Sequence, residues 1–137
     1  MRSKRSTLEA TRRFSAIATL PGTEAATAAN YGKFFVANRV CTVLRISESH
    51  EVLGTDVGAV TLSVERLQGV EVSGAGDDLL GGTKINLKAV KNTNQSPALT
   101  GTAAHLTLAA GDRLNLLDTG ALTNVGGVTV TVDLEEA

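Results

Sequence analysis

The stretch that decides the fold is Leu106–Leu134, LTLAAGDRLNLLDTGALTNVGGVTVTVDL. Apolar and polar residues alternate through it, and Gly punctuates each run. Val128, Val130, Val132 and Leu134 fall on one face, Thr129, Thr131 and Asp133 on the other. A period of two is the mark of a half-buried strand. Ala110-Gly111-Asp112 reads as a turn, with Asp112 as a turn former rather than an acid. The stretch therefore predicts scaffold: Leu106, Leu108, Leu114 and Leu116 belong with the valines in a core.

The same period extends backward. RVCTVLRISESHEV reads as a strand with a bulge near Ser47–Ser49, and GTDVG (Gly54–Gly58) as a turn. In AVTLSVERL the pattern sends Val60, Leu62 and Val64 inward and Thr61, Ser63 and Glu65 outward. TKINLKAV alternates Ile85, Leu87 and Ala89 against Lys84, Asn86 and Lys88. AAHLTLAA and RLNLLD complete the set. At least six strands, with turn signals between them and no convincing helix after residue 35, predict an all-β fold: an antiparallel β-sandwich, jelly-roll-like. The near absence of aromatics from these faces favours two flat sheets over a wide barrel.

The first 30 residues differ, which divides the chain into an arm and linker (1–30) and a sandwich domain (31–137). Ser6 and Glu9 have capping-box spacing. A short helix is expected to follow, with Leu8, Phe14 and Ile17 roughly on one side and Pro21-Gly22 as its stop. The arm is thus expected to be extended or partly helical. Residues 1–20 hold five basic side chains (Arg2, Lys4, Arg5, Arg12, Arg13) and one acid, Glu9, a balance of 5 − 1 = +4; the remaining 8 basic and 13 acidic residues give −5. A basic arm before an acidic body reads either as a solvated, disordered tail or as an arm that docks on an acidic neighbour or on nucleic acid. The overall charge of −1 argues against nucleic acid as the partner of the whole protein.

The aromatic side chains are Phe14, Tyr31, Phe34 and Phe35 alone. Three of them fall in NYGKFF. Aromatics bury a large area at small entropic cost and concentrate at interfaces. Arg2, Lys4, Arg5, Arg12, Arg13, Phe14, Tyr31, Phe34 and Phe35 are therefore the expected assembly interface. The plainer alternative is that Phe34 or Phe35 simply enters the core.

Catalytic signatures are lacking. GAGDDLLGG (Gly74–Gly82) has no Lys in the phosphate-loop position, and adjacent Asp77 and Asp78 cannot fill an EF-hand pattern. A solvated loop tip is expected there, a weak calcium site being the alternative. No G-x-S-x-G elbow accompanies the two histidines. His50 is expected at the surface or a hairpin end, and His105 on an outer face. Cys41, without a partner, is expected to be a small buried hydrophobe. With no Trp, sugar binding by stacking is disfavoured. FSAIATL is a poor export signal, and no apolar run reaches the length of a membrane span.

The segments ANRVCTVLRISESHEV, AVTLSVERLQG, INLKAVKNTNQS and the opening stretch together resemble small proteins encoded beside the capsid genes of tailed bacteriophages. The likeness covers roughly residues 27–134, and LAAGDRLNLLDTGALT (Leu108–Thr123) is its most specific part. It implies a head decoration or cement protein on the virion surface, made in the host cytoplasm, without cofactor or catalysis. The major capsid protein would be its partner, and a cyclic homo-oligomer, dimer or trimer, its assembled form. A receptor- or glycan-binding fibre or spike module, or a tail or connector component, is the alternative.

Overall fold

The computed structural model describes residues 12–20 and 33–137. Nine strands are present among them: β1 (Arg13–Leu20), β2 (Lys33–Val36), β3 (Cys41–Ser49), β4 (Thr61–Leu67), β5 (Asp77–Asp78), β6 (Ile85–Asn86), β7 (Thr107–Leu108), β8 (Arg113–Thr119) and β9 (Val128–Glu136). A short 3-10 turn, Ala103–Leu106, precedes β7. Every strand pairing is antiparallel.

The strands form two sheets, ordered β1-β9-β3-β7 and β2-β8-β4-β5, with β6 also on β4. The chain changes sheet at almost every connection, and the first and last strands are neighbours. That interleaved order is a jelly roll: the expected all-β antiparallel sandwich is the observed fold.

The core lies between the sheets and follows the alternation. Val128, Val130, Val132 and Leu134 face Val60, Leu62, Val64, Leu114 and Leu116, all essentially inaccessible to solvent. At the Ala109–Asp112 turn, the Asp112 amide donates to the Ala109 carbonyl (3.0 Å) and the Asp112 Oδ2 accepts from the Ala109 amide (2.9 Å). Gly111 takes φ +93° there, a conformation that disfavours any side chain.

Four expectations need correction. Residues 13–20 are not helical. They form an eight-residue strand pairing with β9 from Arg13↔Glu135 to Leu20↔Val128, with Ala16, Ala18 and Leu20 inward. Leu8, the other residue placed on that helix, lies outside the described residues. The bulge of β3 falls between Val43 and Arg45 rather than at Ser47–Ser49. TKINLKAV keeps its alternation but contributes only the two-residue strand β6, and AAHLTLAA loses it: Ala103–Leu106 form the 3-10 turn, with Ala104 exposed, and only Thr107–Leu108 are strand. Finally, Glu65 and His50, expected at the surface, are completely buried. Glu65 points outward from β4 as its period requires, but the loop 68–76 closes over it.

Candidate assembly surface

The end of the sandwich where β1 meets β2 gathers the sequence-predicted residues. Phe14, near the start of β1, and Phe35, near the end of β2, lie with ring centroids 5.8 Å apart and planes tilted by 41°. The pair bridges the open seam between the two sheets. Phe14, Phe34 and Phe35 are each partly buried against the core, as the plainer reading of Phe34 and Phe35 expects, and each keeps some exposed area. Arg13 and Arg12 are exposed beside them. Arg2, Lys4, Arg5 and Tyr31 lie outside the described residues.

Two clefts meet at Phe14. One, of about 430 Å³, is lined by Arg13, Phe14, Leu44, Arg45 and Asp133. The other, of about 260 Å³, is lined by Phe14, Phe35, Asn38, Arg39, Cys41 and Glu136. The bulge in β3 turns Leu44 outward beside the first cleft, and Leu44 stays 39% exposed. Cys41 lies at the floor of the second. Burial pushes its thiol above the ordinary range, and Glu136 and Asp112 push it further. A thiol so held is a poor nucleophile.

The charges around the clefts are matched. Arg13 lies 3.7 Å from Glu135, Arg39 3.5 Å from Glu136 and Arg45 3.0 Å from Asp133. Asp133 also accepts from Ser15 Oγ at 2.7 Å. All three arginines come from different strands or loops, and all three acids from β9. Antiparallel register produces two of the pairs, since Arg13, Glu135 and Thr42, and likewise Ser15, Asp133 and Arg45, form continuous cross-strand rows, while Arg39 reaches Glu136 from the loop before β3. Arg13 is thus already engaged within the fold, and exposed pairs of this kind stabilise by at most about 1 kcal/mol each. What the surface offers a partner is apolar: the phenyl rings and Leu44.

The loop that suggested calcium is differently built. Asp77 accepts from Arg66 Nη2 at 2.7 Å, with His105 Nε2 at 3.5 Å. Asp78 accepts from Lys84 Nζ at 2.7 Å, from the Leu80 amide at 3.0 Å and from the Ser63 hydroxyl. Both carboxylates are strand residues neutralised by side-chain cations. No group of three or more His, Cys, Asp or Glu suited to a metal occurs among the described residues. No helix among them is long and apolar enough to cross a membrane.

The sequence reading missed two buried polar clusters. Glu65 accepts from the Gly74 amide (2.8 Å), the Gly76 amide (2.9 Å) and Asn115 Nδ2 (2.8 Å). Glu48 and His50 face each other at 2.7 Å with both side chains fully buried. A signal for the second pair was present. Glu48 and His50 follow Ile46 at spacings of two and four, which continues the inward face of β3 one residue past its end.

Comparison with protein-family models, with curated proteins and with solved structures found no match.

Proposed function

We propose that this chain is a structural virion subunit, a decoration or cement protein that binds the outside of a phage head and stabilises it by non-covalent contacts. The observation that carries the reading is the Phe14–Phe35 pair. It places partly exposed aromatic area at the seam of the sandwich, next to Arg12, where the basic residues 1–11 join the body. Three further features support it. The jelly roll is an architecture used in viral shells, a fold-level analogy. The sequence resembles phage proteins encoded beside capsid genes. Residues 1–11 hold three basic side chains and one acid, while the rest of the chain holds 10 basic and 13 acidic, so Coulomb attraction steers the arm to an acidic capsid surface and apolar burial at the rings retains it. Weak contacts of single copies add up on a repeating lattice.

Heads assembled without the protein provide the test. Full-length chain is expected to co-sediment with them in hundreds of copies per head, and a form lacking residues 1–11 to bind at least tenfold more weakly while keeping its fold. Phe14→Ala is expected to weaken binding in the same direction. A full-length chain that does not associate with heads defeats the reading. Recovery of only a few to tens of copies per virion points instead to a tail or connector component.

A further inference from the structure

The loop between Asn86 and Ser96 is tied to β3 by a network in which protons can be counted. The Gln95 amide donates to the Glu48 carbonyl, and the Glu48 amide returns the bond, each at 2.8 Å. The Asn92 amide donates to the His50 carbonyl at 2.7 Å, and Ser96 Oγ to the Ile46 carbonyl at 3.1 Å. The side chain of Gln95 donates to Glu48 Oε1 (2.9 Å) and to the Asn86 carbonyl (2.7 Å). Its own oxygen accepts from the Asn86 amide at 3.0 Å.

His50 completes the network. Its Nε2 lies 3.0 Å from the Ala89 carbonyl, and its Nδ1 2.7 Å from Glu48 Oε2. A carbonyl oxygen only accepts, so Nε2 carries a hydrogen. One further proton then lies between Nδ1 and Oε2, and either atom can own it. Removing it leaves two acceptors face to face without water. Adding another leaves two donors face to face. Both arrangements are costly in a buried site.

Among the described residues the surroundings supply no substitute charge. Gln95 is neutral, and β9 presents Val130 opposite Glu48. Lys88 is exposed and donates to the Asp56 and Gly58 carbonyls, while Glu51 and Lys91 are exposed. Glu48's carboxyl is accordingly raised above the ordinary range by burial, although its hydrogen bonds to His50 and Gln95 and the charge of His50 act the other way.

We propose that Glu48 and His50 form a one-proton latch, which holds the 86–96 loop on β3 in mildly acidic solution and loosens it progressively as pH rises. The sign follows from linkage. When the loop opens, the side chains reach water, where glutamate and histidine lose their protons near about 4.3 and 6.5. Between these values the open pair already carries the single proton, and closure neither takes up nor releases one. Above about 6.5 the open pair is empty, so closure must draw a proton from solution. Closure then weakens by up to tenfold per pH unit. A raised carboxyl has the same sign, its contribution being lost as pH rises. The order of an exposed loop, with Val90 72% accessible at its tip, thereby depends on pH.

Amide hydrogen exchange on the full-length protein tests this, after correction for intrinsic rates. The amides of Asn92, Gln95 and Glu48 report the loop, and those of Val64 and Leu116 the core. Between pH 6.5 and 9, loop protection relative to the core is expected to fall by up to tenfold per unit. In Glu48→Gln an amide N–H replaces the shared proton, so the ratio is expected to stay flat. A flat wild-type profile overturns the proposal by itself, without any variant. A Glu48→Gln profile as steep as that of the wild type also overturns it.

Discussion

Two glutamates, one in each sheet, are buried by opposite routes. Glu65 points away from the core of the sandwich and is covered by the loop 68–76. Three N–H donors meet it, two of them from the backbone of that loop. Glu48 points into the sandwich and brings its own partner, His50, two residues along and just past the end of β3. The first site is completed by chain geometry and the second by a proton. Stability at the first therefore rests on the path of a loop, and at the second on the solution. The comparison also shows that a polar residue at an outward position is no guide to exposure when a glycine-containing loop can fold back over it.

The sharpest way to break the contrast is at Gly76. A Cβ there would collide with the Arg66 carbonyl and crowd Leu67 and Glu65 Oε1. Gly76→Ala is expected to destabilise by about 3 kcal/mol, read from the urea midpoint, because backbone cannot give way as a flexible side chain can. Next comes the pair of glutamine variants. Glu65→Gln sets an N–H₂ group against donors and should cost about 1–3 kcal/mol. That cost should be nearly the same at pH 5.5 and pH 9. Glu48→Gln should cost about 1 kcal/mol or less at pH 5.5 and nothing, or the reverse, at pH 9. Equal pH dependence of the two variants would erase the distinction between the sites. The smallest effect is expected outside both. Arg45→Ala removes the exposed ion pair with Asp133 and should change stability by less than about 1 kcal/mol, with the difference vanishing in 1 M salt.

The architecture was legible in the sequence where alternation was long and apolar, as in Val128–Leu134 and Val60–Val64. It was illegible where the decisive partner was remote. RFSAIATL carries Ala at two of its inward positions, and Ser6 and Glu9 upstream imitate a helix start. Only β9, more than a hundred residues later, makes it a strand. The candidate surface was half visible. Arg13, Phe14 and Phe35 were named from composition and do come together. Arg45, Asp133 and Glu135 were not named, because cross-strand register assembles them and no local spacing shows it, and Arg39 and Glu136 meet only once the loop before β3 is folded. The latch was missed for a different reason. Its residues obey the period of two, but Glu and His at inward positions were read as chemistry suited to the surface.

The position of β9 has a consequence for how the molecule is made. It is the last strand of the chain, yet it lies between β1 and β3 and supplies the backbone partners for nearly all of both. Synthesis proceeds at about 5–20 residues per second, so β1 waits several seconds without its partner. Sheet β2-β8-β4-β5 can form as soon as β8 has emerged, whereas the other sheet closes in one step with the final residues. A translation product that stops before Val128 therefore has one sheet, an orphan β1 and a β3 paired only with the short β7, and its exposed edges are prone to aggregate.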